Sequence, residues 1–238
     1  MKDNTSTHIL EDKELGTLIV QVNPRARRFV FRTKSDAIYV SIPPGTTRKE
    51  LDDAIESLRD KLLHSRQKVA PSRRIDLNYH IHTEFFKLTL VQGNRKKFLA
   101  HSELGEMKII CPPDADFDDP SLQEWLQKVI EEGLRRNAKI ILPPRLYMLS
   151  NQHDLPYKSI KINSSKGRWG SCSARANINL SYYLVLLPLH LIDYVLLHEL
   201  CHTREMNHGE KFWALMDKIT DGNAQKLRRE LKEYKTNI

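Results

Sequence analysis

The stretch from Pro188 to about Met206 constrains this chain most, because its apolar residues leave a helix no face for water. Leu191, Ile192, Val195, Leu196, Leu197 and Leu200 spread around most of the circumference, so the element has to be buried. The same helix carries His198, Glu199 and His202, and burying a charged carboxylate and two imidazoles is costly unless they have partners or a metal.

The spacing His198-Glu199-Leu200-Cys201-His202 sets two imidazoles one turn apart on one face, where both can converge on a single ion. Glu199 is rotated by about 100° from His198, so it reaches a water on the ion rather than the ion itself. A third ligand has to come from elsewhere. The helix is expected to end near Met206-Asn207, since Asn tolerates the left-handed conformation and Gly209 follows. His208 stands just beyond that end, where a reversing chain brings its ring to the metal or where, as a loop histidine, it simply faces water. Three protein ligands and a water form the open arrangement of a catalytic zinc. Such an ion lowers the pKa of its water toward ~7, and Glu199 then removes a proton as the water attacks a carbonyl or phosphoryl centre and returns it to the leaving group. The competing reading is a core helix whose histidines are satisfied by hydrogen bonds and whose Glu199 sits in a salt bridge. Glu205 and Glu210 flank the ligands as candidates to orient a ring, and Cys201 points off the ligand face as a small core residue.

The rest of the chain reads as a sheet-rich front followed by helices. Residues 17–22, 28–32 and 37–42 are β-branched or aromatic and bounded by turn formers, so they read as strands. Thr47 and Glu50 form a capping-box pattern, and Leu51, Ile55, Leu58 and Leu62 recur at helical spacing behind it. Further strands are expected over 75–81, 85–91, 97–100 and 107–111. Prolines and four aspartates between Pro112 and Pro120 interrupt regular structure, which places a boundary between a β-rich domain, 1–115, and a second domain, 116–238. Asp119 and Pro120 open a helix expected to run to about Ile141, with Pro143-Pro144 starting another. Residues 158–164 and 176–184 read as strands around a turn-rich Ser165–Cys172, and a second helix after the metal helix carries Phe212, Trp213, Leu215, Met216 and Ile219. No internal repeat is evident.

Composition narrows the setting. The net charge of +8 is concentrated in residues 1–100, which hold 19 basic against 12 acidic side chains. That excess suits a nucleotide, nucleic acid or acidic partner, or serves only solubility. Cys111, Cys172 and Cys201 are odd in number and widely spaced, so reduced thiols are expected. No run approaches the ~18 apolar residues of a membrane span, and the polar start lacks a signal peptide's apolar region, so a cytoplasmic protein without membrane contact is expected.

Lys166-Gly-Arg-Trp-Gly-Ser-Cys-Ser173, Ile178-Asn-Leu180, Ile192-Asp-Tyr-Val-Leu-Leu-His-Glu-Leu-Cys-His202 and Asn207-His-Gly-Glu-Lys-Phe-Trp213 follow one another in order. In this the chain resembles the YgjP-like metallopeptidase family of metal-dependent hydrolases and, more distantly, the SprT-like and WLM peptidases. The resemblance implies an α+β chain with a β-rich N-terminal half and a zincin-like α/β C-terminal half. It also implies Zn2+ held by His198, His202 and His208, with Glu199 activating the zinc-bound water to cleave peptide bonds. In zincins a strand beside the metal helix pairs with extended substrate, so the segment around Arg168 to Ser173, or Asn177 to Leu180, is expected to line the cleft, with Arg168, Trp169 and Ser171 as substrate contacts. Two other functions remain open: nucleoside triphosphate pyrophosphohydrolysis, which the basic front half would suit, and a DNA-associated protease or binding module.

Overall fold

The computed structural model describes residues 7–34, 36–68 and 73–236. Two compact units divide the chain, Met1–Arg73 and Arg74–Ile238.

In the first unit, strands β1 (Thr7–Asp12), β2 (Gly16–Val22), β3 (Val30–Thr33) and β4 (Ile38–Ile42) form a sheet ordered β1-β2-β4-β3. β1 and β2 form an antiparallel hairpin, β2 and β4 run parallel, and β3 closes antiparallel on β4. Alternation puts Leu18, Val20, Ile38 and Val40 on one face, where they pack with Leu51, Ile55 and Leu62 of helix α1 (Arg48–Lys68). The expected capping box is present: the Thr47 N–H donates to Glu50 Oε2 at 2.8 Å and the Glu50 N–H to Thr47 Oγ1 at 3.3 Å.

The second unit opens with the same topology. β5 (His80–His82), β6 (Lys87–Gln92), β7 (Leu99–Glu103) and β8 (Glu106–Cys111) are ordered β5-β6-β8-β7, again antiparallel, parallel, antiparallel, and are followed by helix α2 (Pro120–His153). The chain therefore contains a four-strand-plus-helix repeat that the sequence does not display. The structure also differs from the expected boundary near 115. Phe86, Leu88, Met107 and Ile109 share one core with Leu126, Ile130 and Leu134 of α2 and with the helices beyond. α2 lies so close to the sheet that a Cβ at Gly133 would sit 2.6 Å from Met107 Sδ. Asn137, fully buried, accepts the Gly105 N–H at 2.6 Å and donates to the Gly133 carbonyl.

α2 does not stop near Ile141. It continues through Pro143 and Pro144, although each proline removes a backbone donor. Leu142, Leu146 and Leu149 remain buried across the break, and Arg145 grips Asp193 of the next helix, so tertiary contacts outweigh the local signal. Two other expectations shift: Asp76 nucleates a turn where a strand from 75 was expected, and β1 was not foreseen.

The remainder consists of a three-stranded sheet and three helices. β9 (Ser159–Asn163), β10 (Gly170–Cys172) and β11 (Asn177–Ser181) are ordered β10-β11-β9, so β11 is central and β10 an edge. A 3-10 turn over Tyr182–Leu186 leads into α3 (Leu189–Cys201), followed by α4 (Glu210–Ile219) and α5 (Ala224–Leu231). The architecture is α+β, with most strands in the N-terminal half and most helices in the C-terminal half. Cys111, Cys172 and Cys201 are free thiols, and no helix among the described residues is long and apolar enough to cross a membrane.

Candidate metal centre

α3 is buried on nearly every side, including Leu191, Ile192, Val195, Leu196 and Leu200, as its composition required. It ends five residues before the expected stop. Thr203 and Arg204 donate their N–H groups to Leu200 and Cys201, tightening the last turn, and the Thr203 hydroxyl also bonds the Leu200 carbonyl. The chain then reverses through Met206 and Asn207 and returns His208 to the helix end.

His198, His202 and His208 converge there. His208 Nε2 lies 3.0 Å from His198 Nε2 and 3.1 Å from His202 Nε2. Three nitrogens bonded to zinc at about 2.0–2.1 Å in tetrahedral geometry would be separated by roughly 3.3 Å, so the donor set fits one small ion. The His202 ring is oriented by its other nitrogen, which bonds the Glu205 main-chain carbonyl at 3.0 Å. That contact leaves Nε2 with a free lone pair. It is the backbone of Glu205, not its carboxylate, that orients the ring. Burial, reinforced by the neighbouring histidines and Arg228, pushes the His198 pKa down to about 3, and burial also lowers that of His202. Both rings are therefore neutral near pH 7, the form that binds metals. Phe212 of α4, fully buried, packs against all three rings at 4.6–4.9 Å between centroids.

Glu199 sits on the next face of α3 and is only 5% exposed. Its Oε2 has no hydrogen-bond partner among the described residues. Burial raises its pKa to about 7, partly countered by the Arg168 guanidinium. Such a carboxyl exchanges protons readily near neutrality. It rests against the edge strand, where a Cβ on Gly170 would fall 2.6 Å from Glu199 Oε1. Only glycine leaves that room.

Arg168 and Trp169 border a cavity of about 370 Å3 that also reaches His198 and Glu199, whereas Ser171 is not part of its wall. Ser171 instead pairs with Asn179 in the sheet. The alternative cleft segment, Asn177 to Leu180, belongs to the central strand, hydrogen-bonded on both sides. Bonds from Ser181 N to Trp169 O and from Ser173 N to Asn177 O fix the alternation. They turn the N–H and C=O of Gly170 and Cys172 toward the open edge of β10. Gly170 falls within the segment expected to line the cleft, whereas sequence reasoning passed over Tyr194, Arg228 and Lys232 at this cavity. Tyr194 lies on the metal helix itself, one turn before His198, but nothing local tied Arg228 and Lys232 to that helix.

A tripod of imidazoles beside a buried carboxyl is a donor set that can hold a metal ion. The YgjP-like, metallopeptidase domain family matches residues 27–234, and the chain belongs to that family. It is thus a peptidase-type hydrolase, a class that works with a metal ion on peptide or protein substrates. No curated protein shows significant similarity to it. Among solved structures it is similar to the metallopeptidase zymogen of Pyrococcus abyssi abylysin, at 20% identity over 39% of this chain and 94% of that one, with a TM-score of 0.36. It is also similar to the metallopeptidase zymogen of Methanocaldococcus jannaschii jannalysin, at 23% identity over 38% of this chain and 96% of that one, with a TM-score of 0.31.

Proposed function

We propose that the chain is a zinc peptidase in which His198, His202 and His208 hold the ion through Nε2 and Glu199 is the general base and then the general acid. The observation that carries this reading is the convergence of three Nε2 atoms, with His208 3.0 and 3.1 Å from the other two, beside a buried carboxyl whose Oε2 has no hydrogen-bond partner among the described residues. Bound zinc would supply a Lewis acid for the scissile carbonyl and acidify a water. Glu199 takes the proton from the attacking water and delivers it to the departing amine, a task suited to a carboxyl whose burial brings its pKa to about 7. The open edge of β10 offers the Gly170 and Cys172 main chain to an extended peptide, which would run past Glu199 as an added strand.

The test is elemental analysis of wild type and His208→Ala, with casein hydrolysis by wild type and Glu199→Gln. About one zinc per wild-type chain, lost in His208→Ala, with proteolysis abolished in Glu199→Gln, is the expected result. Absence of metal after zinc reconstitution would overturn it. Nucleoside triphosphate hydrolysis on the same preparations separates peptide from phosphoanhydride chemistry.

A further inference from the structure

The cavity beside His198 and Glu199 is walled by three cations, Arg168, Arg228 and Lys232, and among the described residues Glu199 is the only carboxylate that lines it. The cations come from separate parts of the chain: Arg168 precedes β10, Arg228 lies on α5, and Lys232 caps that helix. Among the described residues no carboxylate comes within 4.0 Å of any of them, although other basic groups of this unit are paired, Arg145 with Asp193, Lys166 with Glu131 and Arg204 with Asp154. Glu230, the acidic neighbour on α5, is directed to His190 at 2.6 Å and does not line the cavity.

Gathering three like charges around one concavity is unfavourable, and an anion placed among them reverses the sign of that interaction. Arg228 is braced for such a role: its guanidinium lies 5.0 Å from the centre of the Trp213 ring, a stacking contact that limits its freedom without neutralising it. Between the cations the wall is apolar and aromatic, with Trp169, Tyr194, Val195 and Leu231. Such a wall suits a carboxylate carried on a hydrocarbon stem. Gly170 lines the same cavity, and it is on β10, whose free edge is turned outward there. An extended chain laid along β10 therefore has the cavity beside it.

We propose that this cavity binds a carboxylate of the substrate peptide, so that the enzyme selects acidic peptides. The inference rests on the peptidase reading above and specifies its substrate class. The carboxylate is either an Asp or Glu side chain or the peptide's own C-terminus, since both present the same two oxygens to Arg168 and Arg228.

Binding to the zinc-reconstituted Glu199→Gln protein, followed by fluorescence anisotropy, tests it without turnover. Three labelled peptides of one sequence are compared: an internal Gln with an amidated C-terminus, an internal Glu with an amidated C-terminus, and an internal Gln with a free C-terminus. At least one of the two anionic peptides should bind about tenfold more tightly than the neutral one, as one or two charge-assisted hydrogen bonds allow, and which of them does so identifies the source. In Arg228→Ala/Lys232→Ala on the same background the ratio should fall toward one, and charge reversal at both positions should favour a Lys-containing peptide. Because each result is a ratio within one preparation, partial loss of folded protein does not imitate it. Equal binding of all three peptides, or a preference that survives the double substitution, overturns the proposal. So does tighter, Arg228-dependent binding of a nucleoside triphosphate with no preference among the peptides. Cleavage of the same peptides by wild type is measured alongside: a preserved binding preference without cleavage removes the peptidase reading while upholding the carboxylate site.

Discussion

Gly170 and Glu199 pack so closely that no side chain fits between them: a Cβ on residue 170 would lie 2.6 Å from Glu199 Oε1 and 2.7 Å from Glu199 Cγ. The edge strand therefore sets the position of the carboxyl, and the motif around Gly170 and the motif on α3 act as one device. Gly170→Ala should push Glu199 aside rather than unfold the strand, because the obstructing atoms belong to a side chain. Displacement on the scale of 1 Å costs about a hundredfold in rate, so kcat on casein should fall by roughly that factor while zinc content stays near that of wild type. An unchanged kcat would mean that Glu199 relaxes into an equally productive position.

The bidentate contact of Arg145 with Asp193 joins the part of α2 beyond its two prolines to the metal helix. Nε reaches Oδ1 at 2.6 Å, and both side chains are largely shielded from water. Asp193→Ala should lower the stability of the chain by about 1–2 kcal/mol, the range for a partly buried charge-assisted pair, read as a reduced urea midpoint at constant slope. A midpoint equal to wild type would show that the apolar face of α2 holds the helix without it.

Legibility followed the range of the forces involved. α3 was readable because an all-round apolar helix has a single environment available to it, and the spacing of His198 and His202 follows from helical pitch. α1 was readable through Thr47, Glu50 and the Leu51–Ile55–Leu58–Leu62 stripe, all local features. The unbroken α2 was not, because Pro143 and Pro144 oppose it locally and only buried contacts from distant segments override them. The repeat of β1–β4 in β5–β8 was hidden because pairing order depends on which strands meet, not on which residues they carry. The triad was half legible: His208 needed the reversal after Cys201, and Arg228 and Lys232 reach the cavity from α5 and its end with no local pattern announcing it.

Acid should weaken the first unit through Asp12. Its carboxylate accepts two bonds from Arg59, each 3.0 Å, and the N–H groups of Glu14 and Leu15. The Arg59 contact, helped by those N–H bonds, holds its pKa well below the ordinary 3.8. A depressed folded-state pKa means that the unfolded chain binds the proton first, so this stabilisation is complete above about pH 5 and fades as the pH falls through and below the ordinary value. Asp12→Asn should therefore melt below wild type at pH 7, and the difference should shrink in melts near pH 3. A difference that does not change with pH would assign the effect to packing.

Phe212 should couple the core to the metal centre. It is fully buried and touches the rings of all three histidines. Phe212→Ala removes that support and leaves a cavity, at about 3–5 kcal/mol, so the test is better made with Phe212→Leu, which keeps most of the volume. The expected outcome is a folded protein whose zinc is withdrawn by a chromogenic chelator at a lower concentration than from wild type. Equal retention would show that the His202 contact with the Glu205 carbonyl and the loop geometry suffice to hold the ligands.

Metal removal should be felt as lost stability because the ligands are already gathered. Three imidazoles with their Nε2 atoms gathered this closely crowd one another, so the folded chain holds this arrangement at a cost that an ion offsets. An ion that binds only the folded state adds about 2.7 kcal/mol at a hundredfold excess over Kd. For a chain of this size that corresponds to a rise in Tm of roughly 5–10 °C on adding zinc to chelator-treated protein. His208→Ala should lose most of the rise, and Glu199→Gln should keep it, since Glu199 is not among the converging ligand atoms. Loss of the rise in Glu199→Gln would place the carboxyl among the ligands, and a rise that persists in His208→Ala would remove that histidine from the site.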